Sequence, residues 1–273
     1  MTAELAWLWA GLVCYVLAGS TAIIAVVMKK RPESTVLALL AAGLALHAVS
    51  IALRWTRLGH GPFVTLFEIL SSNVWSLTLV FAVAYWRVRA LRPAAAVVLP
   101  VLFVMMGWLL MTSPGEGHLP PTYHTVWLYV HIGLGKVFLG SVLIAVGIAG
   151  IVLLRSGGIA ASAASRLAAL PDNVRLEDLA FRFMILGFVF ETLMLIAGAI
   201  WAQDAWGRYW AWDPLETWSF ITWLTLAFFL HLRVTYRLRP QWAAAAIMVV
   251  FVLAFLTFFG VPFVSKAPHQ GAV

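Results

Sequence analysis

The sequence predicts an all-α fold: a polytopic transmembrane helix bundle of about eight helices, with both termini on the non-cytoplasmic side. Three observations predict it. The 273 residues are 63% hydrophobic and 11% charged, with mean hydropathy +0.95, too little polar side chain to cover a water-soluble globule. Apolar runs recur at lengths that cross a hydrocarbon core of about 30 Å, which takes about 20 helical residues. Period-2 alternation is absent from them, and bare backbone groups are prohibitive in lipid, so helices are predicted and not a barrel.

The first run, Ala6 to Met28, has no basic residue between Met1 and Ala10; its basic cluster, Lys29, Lys30 and Arg31, follows it. That order reads as a retained helix with its N-terminus outside, not as a cleaved signal peptide. Cys14, inside this run, is the only cysteine, which excludes an intrachain disulfide, a CxxC redox pair and a cysteine zinc site. The second to fourth runs are Thr35 to Trp55, Val64 to Trp86 and Ala94 to Thr112, and the fifth is Val126 to Leu154. The connection Arg155 to Ala180 contains Ser-Gly-Gly and the small-residue run Ala160 to Ala164, which reads as a flexible link into a short amphipathic stretch. The sixth to eighth runs are Phe181 to Ala202, Trp218 to Leu232 and Trp242 to Val264. No internal repeat of about 20 to 50 residues interrupts this series, so residues 1–273 read as a single membrane domain.

The formal charge of +7 resides in short clusters between apolar runs, a pattern of membrane topology and not of a nucleic-acid-binding face. Alternate connections hold Lys29, Lys30, Arg31; Arg87, Arg89, Arg92; Arg155, Arg166, Arg175, Arg182; and Arg233, Arg237, Arg239, thirteen basic residues. The opposite side holds four: Arg54, Arg57, Arg208 and Lys266. The positive-inside tendency makes the first set cytoplasmic. Outside then lie Thr56 to Phe63, Ser113 to Thr125, Gln203 to Thr217 and the tail Ser265 to Val273. His60, His118, His124 and His269 fall in those outer segments, His131 near the outer end of the fifth helix, and His47 and His231 within spans.

The most informative stretch, Trp201 to Arg233, holds Trp201, Trp206, Trp210, Trp212, Trp218 and Trp223. An interfacial aromatic belt accounts for one or two tryptophans at a helix end. It does not account for this density beside Gly207, Asp213, Pro214 and Glu216. A flat apolar ligand edged with charge suits such a surface: indole faces stack on the ring, Gly207 permits close backbone approach, and indole N–H groups donate to carboxylates.

The pattern Trp206-Gly207-x-Tyr209-Trp210-x-Trp212-Asp213-Pro214-x-Glu216-Thr217-Trp218 resembles the WWD motif of the haem-handling superfamily. Within it the chain is most similar to the CcsA (ResC) family of system II cytochrome c biogenesis. Further matches run through Arg54-Trp55, Gly59-His60-x-Pro62 and Glu68, through Trp127-Leu128-Tyr129-Val130-His131, through Leu230-His231-x-Arg233, and through Gly260-Val261 towards His269. Leu215 departs from the family's lysine at that position.

The resemblance implies haem b held outside the membrane by Trp206, Gly207, Tyr209, Trp210, Trp212, Asp213, Pro214, Glu216 and Trp218, in a loop of about residues 203–217. It implies His131 and His269 as axial iron ligands, and neutral imidazole suits that task. It also implies His231 as a transmembrane ligand met earlier on the haem's route. That residue lies about thirteen residues into the seventh run, about 20 Å down. The implied partners are a CcsB-like membrane protein, which supplies the opposing transmembrane histidine, an apocytochrome c with its CxxCH cysteines, haem itself and the lipid bilayer. The implied setting is a bacterial inner membrane with the loop facing the periplasm. The implied activity is that of the haem-handling subunit of a cytochrome c synthetase, with no side-chain acid or base. Two other readings stand beside it: a CcmC-type subunit that loads haem onto a carrier protein, and a non-haem transporter or structural subunit whose tryptophans form an interfacial belt. His47, Glu68, Lys136 and Glu191 are costly if they face lipid, so they are expected to point into the bundle, pairing or facing a polar path.

Overall fold

A computed structural model describes residues 3–28, 32–156, 171–236 and 238–261. Among them eight helices are long and apolar enough to cross a membrane, and no strand occurs. The all-helical class read from the sequence is therefore observed. The link at Ala160 to Ala164, the tail with His269, and Lys29, Lys30, Arg31, Arg166, Arg237 and Lys266 lie outside the described residues.

The chain divides into two compact units, Met1–Gly117 with Leu154–Asp172, and His118–Leu153 with Asn173–Val273. The first contains α1 (Ala3–Met28), α2 (Glu33–Leu58), α3 (Leu66–Arg87) and α4 (Ala95–Met111), with a 3₁₀ segment Arg89–Ala94 ahead of α4. Its α1 and α2 meet along a seam of small residues, the usual way for helices to approach closely in lipid. A Cβ on Gly11 would stand 3.0 Å from the Gly43 carbonyl oxygen, and one on Gly43 would stand 2.6 Å from the Tyr15 ring.

α3 begins with a capping box: the Thr65 hydroxyl accepts the Glu68 N–H, while the Glu68 carboxylate accepts the Thr65 N–H. The other oxygen of Glu68 accepts from Arg54 Nε at 2.8 Å. Arg54, buried near the end of α2, also donates to Glu4 at 3.1 Å and to the Pro114 and Gly115 carbonyls. Arg57 joins Glu4 and Glu116. Glu68 thus pairs inside the bundle, as expected. His47, fully buried, shares a 2.9 Å hydrogen bond between Nε2 and Ser71 Oγ, which matches a packed, hydrogen-bonded role.

The second unit contains a 3₁₀ turn Pro121–Tyr123, then α5 (Val126–Ser156) up to Leu153, α6 (Asn173–Trp206), α7 (Pro214–Tyr236) and α8 (Pro240–Phe255), which runs into a π-helical segment Leu256–Gly260. α6 and α7 are longer than their hydropathy predicts. α6 starts eight residues before Phe181 and continues past Ala202, and α7 starts at Pro214, four residues ahead of Trp218. Their polar ends continue beyond the apolar stretch that hydropathy reads, because helical hydrogen bonding does not stop where side chains become charged. At one end of this unit Arg233 grips Glu177 through two bonds, 2.7 and 2.9 Å, and covers the Phe181 ring. Within the span, Trp223 Nε1 donates to Thr192 at 2.8 Å, and Thr222 meets Thr257 at 3.0 Å. These contacts hold α7 to α6 and to the π segment.

Candidate functional site

The segment between α6 and α7 is built by a helix stop and a helix start. α6 ends at Trp206, and Gly207 follows with φ +73°, its N–H returning to the Gln203 carbonyl at 2.9 Å. A left-handed residue after a helix is the ordinary αL stop, and glycine takes it without steric cost. Six residues on, Asp213 caps α7: its Oδ1 accepts the Glu216 N–H at 2.9 Å, and Pro214 occupies the first helical position. The Glu216 carboxylate reaches back to the Ala211 N–H at 2.7 Å. The Asp-Pro-x-Glu sequence is therefore a capping device that also ties down the loop backbone. The non-helical part spans only residues 207–213.

Trp212 carries φ +58°, the only positive φ outside glycine among the described residues. For a bulky side chain this costs on the order of 1–2 kcal/mol and occurs chiefly where surrounding contacts impose it. Here the imposing contacts are the Asp213 cap and the Thr217 hydroxyl, which donates to the Trp212 carbonyl at 3.2 Å. The result turns the indole outward: Trp212 is 64% exposed and Tyr209 60%. Trp218 is exposed at the start of α7, and Arg208 beside Tyr209 is also exposed. Trp210 is half-buried, and its Nε1 has no hydrogen-bond partner among the described residues.

Two aromatic groups flank this loop. Trp210 and Trp212 meet edge to face at 5.6 Å; each then contacts Phe220, which stacks on Trp223 at 5.9 Å, and Trp223 stacks on Phe188 at 5.4 Å. In the second group Trp206 donates its indole N–H to the Tyr123 hydroxyl at 3.1 Å. Trp206 and Tyr123 both pack against Trp201, at 4.9 and 5.3 Å between ring centroids.

His131 lies parallel to Trp201, with centroids 6.2 Å apart. Its Nδ1 is 2.8 Å from the Met194 carbonyl oxygen. A carbonyl only accepts, so Nδ1 carries the proton, and in the neutral ring Nε2 carries the lone pair. This is how metal-binding imidazoles are oriented in general: the outer nitrogen donates to a fixed acceptor and the other is left basic. The ring reaches Met194 because Gly198 has no side chain; a Cβ there would stand 2.7 Å from Nδ1.

Of the residues named from the sequence, the structure gathers Trp206 and His131 in one cluster, and Trp210 and Trp212 in the other. Gly207, Asp213, Pro214 and Glu216 form the turns and cap that set the loop. Trp218 stands apart from both ring clusters. His231 is on α7, seventeen residues after Pro214, and exposed; at about 1.5 Å per residue it lies about 26 Å from that end, so it does not join the loop. His269 lies outside the described residues. Sequence reasoning missed Tyr123, Gly198 and the Met194 carbonyl. Gly198, a lone glycine inside a helical pattern, was a readable signal of close approach; the other two have none.

Fold and site together define an integral membrane protein with a tryptophan-rich loop between two helices and an oriented histidine packed close by. A family model described as cytochrome c assembly protein matches residues 38–269, and the chain belongs to that family. It is 27% identical over 260 residues to the cytochrome c biogenesis protein CcsA of Lobularia maritima, covering 80% of each chain. It is 28% identical over 245 residues to CcsA of Prochlorococcus marinus (strain MIT 9301), covering 81% of this chain and 79% of that one. Among solved structures it is similar to cytochrome c heme lyase CcmF, with a TM-score of 0.72 at 19% identity. That likeness concerns the fold; it covers 98% of this chain, which spans only 47% of the solved one. The resemblance to CcsA read from the tryptophan motif is borne out, and the protein functions in cytochrome c biogenesis.

Proposed function

We propose that this chain holds haem b at the α6–α7 loop and presents it for attachment to an apocytochrome c, acting with a CcsB-like membrane partner as a cytochrome c synthetase. The observation that carries this is the state of His131. With Nδ1–H donated to the Met194 carbonyl, Nε2 is the ring nitrogen whose tautomer suits iron ligation, and Trp201 and Gly198 fix the ring's place. The exposed faces of Trp212, Tyr209 and Trp218 suit a flat macrocycle, and the unpartnered indole N–H of Trp210 suits a carboxylate at its edge. Arg208 adds a cation for that edge.

In this reading Trp206, Gly207, Tyr209, Trp210, Trp212 and Trp218 bind, while Asp213, Pro214 and Glu216 fix the loop's shape. His131 and His269 would hold the iron, and His231 would be an earlier ligand within the membrane. Exposure of His231 on α7 favours an opposing ligand from the partner protein. When bound, haem supplies the vinyl groups that the apocytochrome's CxxCH thiols add to. The chain's own residues contribute binding and orientation, with no acid, base or nucleophile. The basic residues on alternate connections support a loop and both termini on the non-cytoplasmic side; the setting in this reading is a bacterial inner membrane, with the loop facing the periplasm.

Coexpression with the CcsB-like partner tests the reading. Purified wild-type complex is expected to show a haem Soret band and to mature a reporter cytochrome c. His131→Ala and His269→Ala are each expected to change the band and lose maturation. If both variants keep both properties, the site is wrong.

A further inference from the structure

Glu191 lies in the middle of α6 and is 0% exposed, yet neither carboxyl oxygen has a hydrogen-bond partner and no salt bridge includes it among the described residues. Burying an unpaired carboxylate costs far more than burying a neutral carboxylic acid. The charge on such a group therefore follows whatever positive charge stands near it. In a membrane span, an ionisable side chain held this way marks a working site.

Its location narrows the work. Gly187, Glu191, Met194 and Gly198 follow one another at spacings of four, three and four residues, which places them on one face of α6. Gly187 faces Phe138, Ser141 and Val142, Met194 covers Gly135, and Gly198 faces His131, all on α5. Glu191 is thus set in the α5–α6 seam, about one turn below the Met194 carbonyl that accepts the hydrogen bond from His131 Nδ1–H. The titratable groups that α5 contributes nearest this level are His131 and Lys136, and Lys136 is half-buried. Trp223 of α7, bonded to Thr192, and Phe258 of the π segment, beside Gly135, carry no ionisable group, nor do Thr222 and Thr257, which bond to each other. On α6 itself the nearest are Arg182 and Asp204, towards opposite ends.

We propose that Glu191 is the proton-holding group that balances the charge of the iron ligated by His131. When that iron is ferric, its additional positive charge favours the Glu191 carboxylate. When an external one-electron donor reduces it to ferrous, Glu191 binds one proton from the medium, so that one electron and one proton enter together and no bond to the iron changes. Glu191 acts through this charge balance and touches neither haem nor substrate. The inference rests on the reading of His131 as an iron ligand.

An optical redox titration of the haem-loaded complex, full chain with its CcsB-like partner, tests it across the pH range in which the complex is stable. One proton per electron lowers the midpoint potential by about 59 mV for each tenfold fall in proton concentration, and wild type is expected to approach that slope over part of the range. Glu191→Gln, a neutral isostere, is expected to keep the haem spectrum and flatten the slope, and Glu191→Asp to restore it at a shifted pH. A flat wild-type profile, or Glu191→Gln with the wild-type slope, overturns the proposal. If Glu191→Gln does not accumulate, an Asp variant with an unshifted profile overturns it equally. His131→Ala separates the two readings: a haem spectrum unchanged by that substitution refutes the ligand assignment itself, whereas a changed spectrum with a slope indifferent to Glu191 refutes only the proton-holding role.

Discussion

Replacing Gly198 by alanine tests the orientation of His131 without removing the imidazole. The new Cβ would stand 2.7 Å from Nδ1 and 2.8 Å from Cε1 of the ring. Comfortable carbon contacts lie near 3.5 Å or beyond, so the ring must retreat by roughly 0.8 Å. The Nδ1–H bond to Met194, now 2.8 Å, then stretches past hydrogen-bonding range. Loss of that bond costs about 0.5–1.5 kcal/mol, and the crowding a further 1–3 kcal/mol or so. Damage to the outer hydrogen bond of a ligating histidine generally lowers metal affinity by about 10–100-fold. Gly133→Ala, two residues from His131 on α5, is the control, because a Cβ there meets nothing within 4 Å. Haem titration of the purified complex, followed at the Soret band, is expected to show weakened binding in Gly198→Ala and wild-type binding in Gly133→Ala. Equal affinity and identical spectra in the two variants would refute the idea that Met194 and Gly198 orient the histidine.

Three further outcomes follow from the geometry. Asp213→Ala removes the cap on Glu216 N–H and is expected to lower stability by about 1 kcal/mol, while Asp213→Asn retains most of it; thermal unfolding in detergent reads the difference. Trp212→Gly relieves about 1–2 kcal/mol of left-handed strain but gives up the ring contacts with Trp210 and Phe220, so it is expected to melt closer to wild type than Trp212→Ala, which loses the same contacts and keeps the strain, while both weaken haem binding; equal melting temperatures for the two variants contradict the strain argument. Glu68→Ala leaves Arg54 buried without one of its carboxylates and breaks the capping box of α3. It is expected to cost about 3–5 kcal/mol, seen as a large drop in melting temperature.

Much of the molecule is legible in the sequence because its determinants are local. Each apolar run long enough to span lipid is a helix, since hydrocarbon leaves the backbone no other partner. Gly207 and the Asp213-Pro214-x-Glu216 start delimit the tryptophan-rich loop, and such caps act over three or four residues. The motif's family was readable for the same reason, as a contiguous string.

What required the tertiary structure is every relation between helices. Nothing local joins His131 to the Met194 carbonyl sixty-three residues later, or stacks it on Trp201. Nor does the sequence show that Glu68 finds Arg54 while Glu191, another carboxylate in an apolar helix, finds no hydrogen-bond partner among the described residues. Composition makes both carboxylates costly. Only the packing of neighbouring helices decides which of them meets a cation, because a side chain's partner depends on the face that the next helix presents. The tryptophans and the loop that carries them were thus determined along the chain, and the tautomer of His131 and the isolation of Glu191 were decided across it.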